Sequence, residues 1–125
     1  MIRMKSMVQI QQEEDRRALL VVLCEAEDAL RARTVRSIME MYGAPTTWET
    51  FMSHVGYLAG EELLRVFPSG TRTELSPVDQ AQYIALCKRA SYDSAEANQM
   101  LLRIRQRGRH FMEGNAPDVK GVATS

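Results

Sequence analysis

The sequence predicts a mainly α-helical domain that contains one short pair of β-strands. Three observations predict this fold class. The chain has 125 residues, which is the length of a single domain. Five segments are rich in helix-forming residues, and several carry apolar side chains at helical spacings of three and four. Residues 64–67 instead can place alternate side chains on opposite faces before a Pro-Ser-Gly turn, as a strand leading into a hairpin does.

The composition is that of an ordinary globular protein with no net charge. Sixteen basic and sixteen acidic side chains cancel, so no overall field attracts nucleic acid or an anionic membrane. The longest apolar run, residues 18–24, is too short to span a bilayer, and the N-terminus lacks the features of a signal peptide. We therefore expect a cytoplasmic protein that does not bind membranes and in which Cys24 and Cys87 stay reduced.

The first two helices are predicted over residues 8–26 and 30–42. In the first, an apolar run short enough to be a strand is flanked by Gln, Glu, Arg and Ala, and these flanks favour a helix. In the second, apolar side chains from Val35 to Tyr42 recur at steps of three and four, and Gly43 is a natural left-handed stop.

The third helix has the clearest periodicity in the chain. Its apolar side chains begin at Trp48 and recur at steps of three and four as far as Ala59. Thr46 and Glu49 fit a capping box at its start. The opposite face carries four polar or aromatic side chains, which are Thr50, Ser53, His54 and Tyr57.

A fourth helix is predicted to begin at Ser76 and Pro77 and to reach about Arg89. The serine side chain can cap the helix, and the proline ring preorganises its first turn.

A fifth helix is predicted over residues 94–112, and residues 113–125 are predicted to be a flexible tail outside a single domain of residues 1–112. In the fifth helix apolar side chains recur at alternating steps of four and three, which is typical of a paired helix. This pattern predicts either a homodimer interface or packing against the first helix, and it consists of Ala97, Leu101, Ile104 and Phe111.

The order of these elements is that of a winged helix-turn-helix with additional C-terminal helices. The third helix takes the place of a recognition helix, and residues 64–75 form a two-stranded wing. Leu64 and Val66 then face the core, whereas Arg65 and Phe67 face outward. The alternative is an all-helical bundle in which residues 64–75 form a long loop.

Several short motifs run in the order found in a known family. The chain contains RRALLVVL at 16–23, YLAGEELLRV at 57–66 and TELSP at 73–77, then Arg-Gly at 107–108, Glu-Gly at 113–114 and Gly-Val at 121–122. In these motifs it resembles small winged-helix proteins encoded by Mu-like transposable phages. It departs from them in an extra segment at residues 84–106. The resemblance implies a winged-helix fold and a phage-type or mobile-element regulator of transcription that binds double-stranded DNA.

The charge of the predicted recognition helix and wing leaves two functions open. Residues 43–83 carry two basic and five acidic side chains, whereas DNA contacts usually need cations beside the phosphates. This acidic balance favours an alternative function, a protein–protein interaction module that binds and inhibits or adapts a host protein. If the protein binds DNA, the predicted contacts are Arg36, Thr47, Thr50, Ser53, His54, Tyr57, Arg65 and Arg72.

No motif typical of catalysis or metal binding is present in the sequence. His54 and His110 have no Cys, Asp or Glu at a familiar metal-ligand spacing. The chain also lacks a glycine-rich phosphate loop and a nucleophile motif. We therefore predict a non-enzymatic protein that uses no cofactor and no metal.

Overall fold

A computed structural model of the protein describes residues 4–71 and 73–124. Over these residues the chain is mainly helical, with six helices and a small antiparallel sheet of three strands. The elements in chain order are α1 (Met7–Glu25), β1 (Leu30–Arg31), α2 (Ala32–Met41), α3 (Trp48–Gly60), β2 (Leu64–Pro68), α4 (Pro77–Arg89), α5 (Ala95–Gln99), β3 (Met100–Ile104) and α6 (Gln106–Met112).

Side-chain caps fix the starts of the longer helices. The hydroxyl of Ser6 accepts the backbone N–H of Gln9, whose side chain in turn accepts the N–H of Ser6, so α1 begins with a capping box. Ser76 caps α4 as predicted. The cap of α3 is Thr47, one residue later than the predicted Thr46, because the Thr47 hydroxyl accepts the N–H of Thr50.

The sheet has the strand order β1-β3-β2, and both of its strand pairs are antiparallel. Leu102 in the central strand lies opposite Leu30 on one side and Val66 on the other. The inward side chains of β3 are buried, and they alternate with the exposed Arg103. A strand period of two therefore sets which side chains face the core.

The predicted hairpin over residues 64–75 is wrong in its second strand. Residues 64–68 do form β2, but the chain then leaves the sheet, and the partner of β2 is β3. The two ends of the segment that leaves the sheet are joined by a hydrogen bond, in which the N–H of Ser69 donates to the carbonyl of Gln99 at 2.7 Å. Thr73 and Glu74 are exposed, so this segment offers no apolar face for the sheet.

The predicted continuous helix over residues 94–112 is also wrong, because it is α5, β3 and α6 in succession. Ala97, Ile104 and Phe111 are buried in the core of the same chain, and Leu101 is half-buried on the sheet. The homodimer interface predicted on this helix therefore has no continuous helix to form it.

The core lies where α1, α3 and the inner face of the sheet meet. Leu19 and Leu20 of α1, Phe51 and Val55 of α3, and Leu102 of β3 are fully buried there. The apolar face predicted for α3 is therefore confirmed. Among the described residues, no helix is long and apolar enough to cross a membrane.

Residues 113–124 pack along α1, which differs from the predicted flexible tail. Val119 and Val122 are buried against the core. The N–H of Ala123 donates to the carbonyl of Glu13 at 3.1 Å, and Arg16 donates to the carbonyl of Gly121 at 2.9 Å. We call this part of the chain the C-terminal segment.

The helix α4 covers both α3 and the free edge of the sheet. The indole N–H of Trp48 donates to the carbonyl of Cys87 at 3.0 Å. On the sheet edge, Oε1 of Gln80 accepts the backbone N–H of Val66 at 2.8 Å. A side chain thus occupies a donor that an open edge strand would otherwise offer to another chain.

Candidate nucleic-acid interface

Arginine side chains lie side by side on the outer face of the sheet. Arg65 of β2 and Arg103 of β3 are directly opposite each other. In the neighbouring row, Arg31 lies opposite Leu101, which in turn lies opposite Phe67. The guanidinium of Arg65 stands 4.9 Å from the centre of the Phe67 ring. Like charges placed directly opposite on paired strands repel each other.

Asn98 links an arginine of β1 to an arginine in the first turn of α2. The Nη1 atom of Arg31 donates to the main-chain carbonyl of Asn98 at 2.9 Å and to its Oδ1 at 3.2 Å. The Nη1 atom of Arg33 donates to the same Oδ1 at 3.2 Å. Two guanidinium groups therefore converge on one amide oxygen.

An exposed tyrosine extends the cluster. The guanidinium carbons of Arg33 and Arg36 lie 4.6 and 4.9 Å from the centre of the Tyr92 ring, within the range of cation–π contacts. Trp48 meets the same ring edge-on at 5.8 Å. The Arg33 guanidinium beside Tyr92 lowers the pKa of the tyrosine. We call the group formed by Arg31, Arg33, Arg36, Arg65 and Arg103, together with Tyr92, the arginine surface.

Two carboxylates approach the arginine surface. Asp28 lies 4.0 Å from Arg103 and is 86% exposed, so solvent screens this pair strongly. Asp93 has its pKa lowered by a hydrogen bond from Ser91, with a smaller effect from the charge of Arg33. With five guanidinium groups and these two carboxylates among the described residues, the arginine surface is positive although the whole chain is neutral.

Two of the predicted DNA contacts, Arg36 and Arg65, belong to the arginine surface. Thr47, Thr50 and Ser53 are exposed along α3, where Thr47 is the cap and the Ser53 hydroxyl donates to the carbonyl of Glu49. The exposed side of α3 thus presents hydroxyl groups beside a carboxylate and carries no basic residue.

His54 and Tyr57 are not on the open face that the sequence predicted for them. His54 is 2% exposed, and its Nδ1 accepts a hydrogen bond from Nε of Arg16 at 3.3 Å. Burial and the charge of Arg16 lower the pKa of His54, and they outweigh an opposing effect of Asp15. Tyr57 is half-buried, and its hydroxyl donates to the carbonyl of Lys120.

The reason for this difference is that α1 and the C-terminal segment cover the second half of α3. The guanidinium of Arg16 lies 3.9 Å above the Tyr57 ring and also binds the C-terminal segment. The remaining predicted contact, Arg72, lies outside the described residues.

Arg103 and Tyr92 are members of the arginine surface that sequence reasoning did not select. The signal for Arg103 was present, because Leu102 and Ile104 alternate with Arg103 and Arg105 at the period of a strand. Tyr92 lies in a short turn between α4 and α5, and no periodicity marks it.

Three arginines that follow Arg103 in the chain contact other groups. Arg105 pairs with Glu74, and Arg107 lies 3.8 Å from Glu62. Arg109 donates to the carbonyls of Cys24 and Ala26, which ties α6 to the end of α1.

Two titratable side chains away from the arginine surface, Cys87 and Tyr83, lie in or against the core. Burial raises the pKa of Cys87 to about 11, which keeps its thiol protonated and weakly nucleophilic at neutral pH. Burial also raises the pKa of its neighbour Tyr83. Within residues 4–71 and 73–124, no three His, Cys, Asp or Glu side chains come together in a way that could hold a metal ion.

No known protein family, curated protein or solved structure matches this chain. The arginine surface is therefore the basis for assigning a function.

Proposed function

We propose that this protein is a non-enzymatic DNA-binding regulator on a winged-helix scaffold, and that the arginine surface binds the phosphates. The element order supports the scaffold. The elements α1, β1, α2 and α3 are followed by the antiparallel pair of β2 and β3, and β1 lies beside β3. In this proposal α4 and α5 are an enlargement at the tip of the wing, between β2 and β3. The origin in a Mu-like phage, which the sequence motifs suggest, is part of the same proposal.

The observation that carries the function is the crowding of like charges. Arg65 and Arg103 are cross-strand neighbours, and Arg31 and Arg33 share one oxygen of Asn98. A row of phosphates would relieve this repulsion, and guanidinium groups bind phosphate through paired hydrogen bonds. The partly exposed ring of Tyr92 lies close to the two cations of α2 and adds a flat contact for a sugar or base.

The same geometry argues against major-groove reading along the whole of α3. One side of this helix packs on α4, and its second half lies under the C-terminal segment. Thr50 and Ser53 are left as exposed hydroxyls in its first half, beside Glu49. We therefore expect contacts to the phosphate backbone to dominate, with weak selectivity for sequence.

The test is binding of a labelled DNA duplex, measured by fluorescence anisotropy at several salt concentrations. We expect the Arg65→Gln/Arg103→Gln variant to bind more weakly than wild type. The slope of log affinity against log salt should fall by roughly 0.9 for each phosphate that the variant no longer binds.

A matched control is Arg107→Gln. The Arg107 side chain is 51% exposed and that of Arg103 is 48% exposed, but Arg107 lies outside the arginine surface, so its replacement should leave the slope unchanged. Wild-type protein that shifts no duplex at low salt would refute the DNA proposal. If the control variant weakens DNA binding equally, the binding site is not confined to the arginine surface.

Binding of a host protein is the second candidate, and one observation favours it. Met41 and Tyr42 at the end of α2 are 80% and 75% exposed, and exposed apolar or aromatic side chains are typical anchors of protein interfaces. If this function is right, Met41→Ser/Tyr42→Ser should abolish capture of a host protein from nuclease-treated lysate, and duplex binding should remain. Capture that is unchanged in this variant would count against the site.

A further inference from the structure

A regular stripe of side chains runs along one side of α1, beside the face that is buried in the core. Its members follow one another at alternating steps of three and four residues, which is the spacing of a coiled-coil contact. The core-facing side chains of the same helix are different ones, such as Leu19, Val22 and Leu23. We call this the α1 stripe, and it consists of Met7, Ile10, Glu14, Arg17, Val21 and Cys24.

The N-terminal half of the α1 stripe is exposed, whereas Arg17, Val21 and Cys24 are half-buried. Met7 is 80% exposed and Ile10 is 39% exposed. Beside its middle, a groove of about 360 Å³ is lined by Ala18 and Val21 of α1, by Tyr42 after α2, and by Ala123 of the C-terminal segment. A largely apolar groove with an exposed apolar helix end next to it has the shape that accepts a helix.

We propose that the occupant is the α1 helix of a second copy, which pairs with it in antiparallel orientation. In the antiparallel register centred between Glu14 and Arg17, Glu14 meets Arg17 of the partner subunit, and the two-fold axis repeats this ion pair. Ile10 then meets Val21 of the partner subunit, and Met7 meets Cys24 of the partner subunit. Every apolar position of the stripe faces an apolar one, and every charge faces its opposite.

Charge complementarity selects this arrangement over a parallel one. Two parallel α1 helices would place Glu14 against Glu14 and Arg17 against Arg17, which is repulsive. Arg17 is available for the pair, because one of its guanidinium nitrogens donates to the carbonyl of Ala123 at 3.3 Å and its other N–H groups can donate elsewhere. The stripe is therefore complementary to itself in one orientation only.

Sedimentation equilibrium of the whole protein, without nucleic acid, tests this proposal independently of DNA binding. We expect wild type to sediment as a dimer of twice 14.2 kDa. Glu14→Arg and Arg17→Glu should each weaken the dimer by about tenfold or more, because each variant faces like charges across the two-fold axis.

The decisive sample is an equimolar mixture of these two variants. In a heterodimer the chain with two arginines faces the chain with two glutamates, so association should return to the wild-type level. Circular dichroism of each variant alone establishes that both are folded. A wild-type monomer at several hundred micromolar, or a mixture of folded variants that stays monomeric, would overturn the pairing.

Oxidative cross-linking tests the register. Met7→Cys should form a disulfide with the native Cys24 of the partner subunit, giving a reducible covalent dimer. Val8→Cys, which points one position away around the helix, should cross-link far less. Equal cross-linking of both variants would show that the helices do not pair in this register.

Discussion

Arg16 shows how one side chain can decide the environment of several others. Its Nε donates to Nδ1 of His54, its Nη1 donates to the carbonyl of Gly121, and its guanidinium covers the Tyr57 ring. Gly121 has a φ of +86°, and a Cβ there would collide with the Tyr57 hydroxyl, so glycine is needed for both conformation and space. Helix periodicity could place His54 and Tyr57 on a polar face of α3. It could not show that α1 and the C-terminal segment close over that face.

The buried imidazole leads to a prediction about pH. The folded-state pKa of His54 lies below its usual value of 6.5, so the folded protein holds a neutral ring, while the unfolded chain takes up a proton more readily. The contribution of His54 to stability is therefore fully present above about pH 6.5, and it is lost as the pH falls through the folded-state pKa.

We expect the free energy of unfolding in denaturant melts to decrease from pH 6.5 toward about pH 5. His54→Gln removes the titrating ring, so this variant should show a smaller decrease over the same interval. Identical pH profiles for the two proteins would mean that His54 is not responsible.

Whole elements were predictable where local chemistry defines them. The Ser76 cap followed by Pro77 predicted α4 at its observed start, and the apolar spacing of α3 identified its buried face. The true partner of β2 could not be predicted from local chemistry. This partner is β3, which follows α4 and α5 in the chain, so its pairing with β2 is a long-range contact. The spacing of apolar side chains through residues 97–111 fits one helix as well as it fits a strand between two short helices. The pairing of this strand with Val66 and its neighbours selects the second structure.

The edge of the sheet gives a prediction at the scale of an element. Gln80 on α4 accepts the N–H of Val66 in β2, so Gln80→Ala leaves a partly buried donor without this acceptor. We expect the free energy of unfolding to fall by about 1–1.5 kcal/mol. Gln82→Ala, an exposed position on the same helix, should change it by less than about 0.5 kcal/mol. Equal effects in urea melts would show that the Gln80 hydrogen bond adds nothing.

At the scale of the whole molecule, the segment between β2 and β3 acts as part of the core. Its ends meet where Ser69 binds Gln99, so a short turn could join the two strands directly. Yet Ile84 and Cys87 of α4 belong to the main core cluster, and α4 holds the indole of Trp48. Asn98 and Tyr92, which organise the arginine surface, lie in the same segment. The segment between β2 and β3 therefore supports both the fold and the proposed binding face.

Replacing residues 70–98 with an Asn-Gly turn would remove α4 and α5 and test their role in the core. The strand pair can still close, because Asn-Gly suits a two-residue hairpin turn, but α3 is then without the helix that covers it. We expect the free energy of unfolding to fall by about 3 kcal/mol or more, because large buried side chains become exposed. Trp48 is the single tryptophan of the chain, so its emission should shift to the red in the native state. A shortened protein that keeps wild-type stability and a blue-shifted Trp48 would show that α4 and α5 are dispensable to the core.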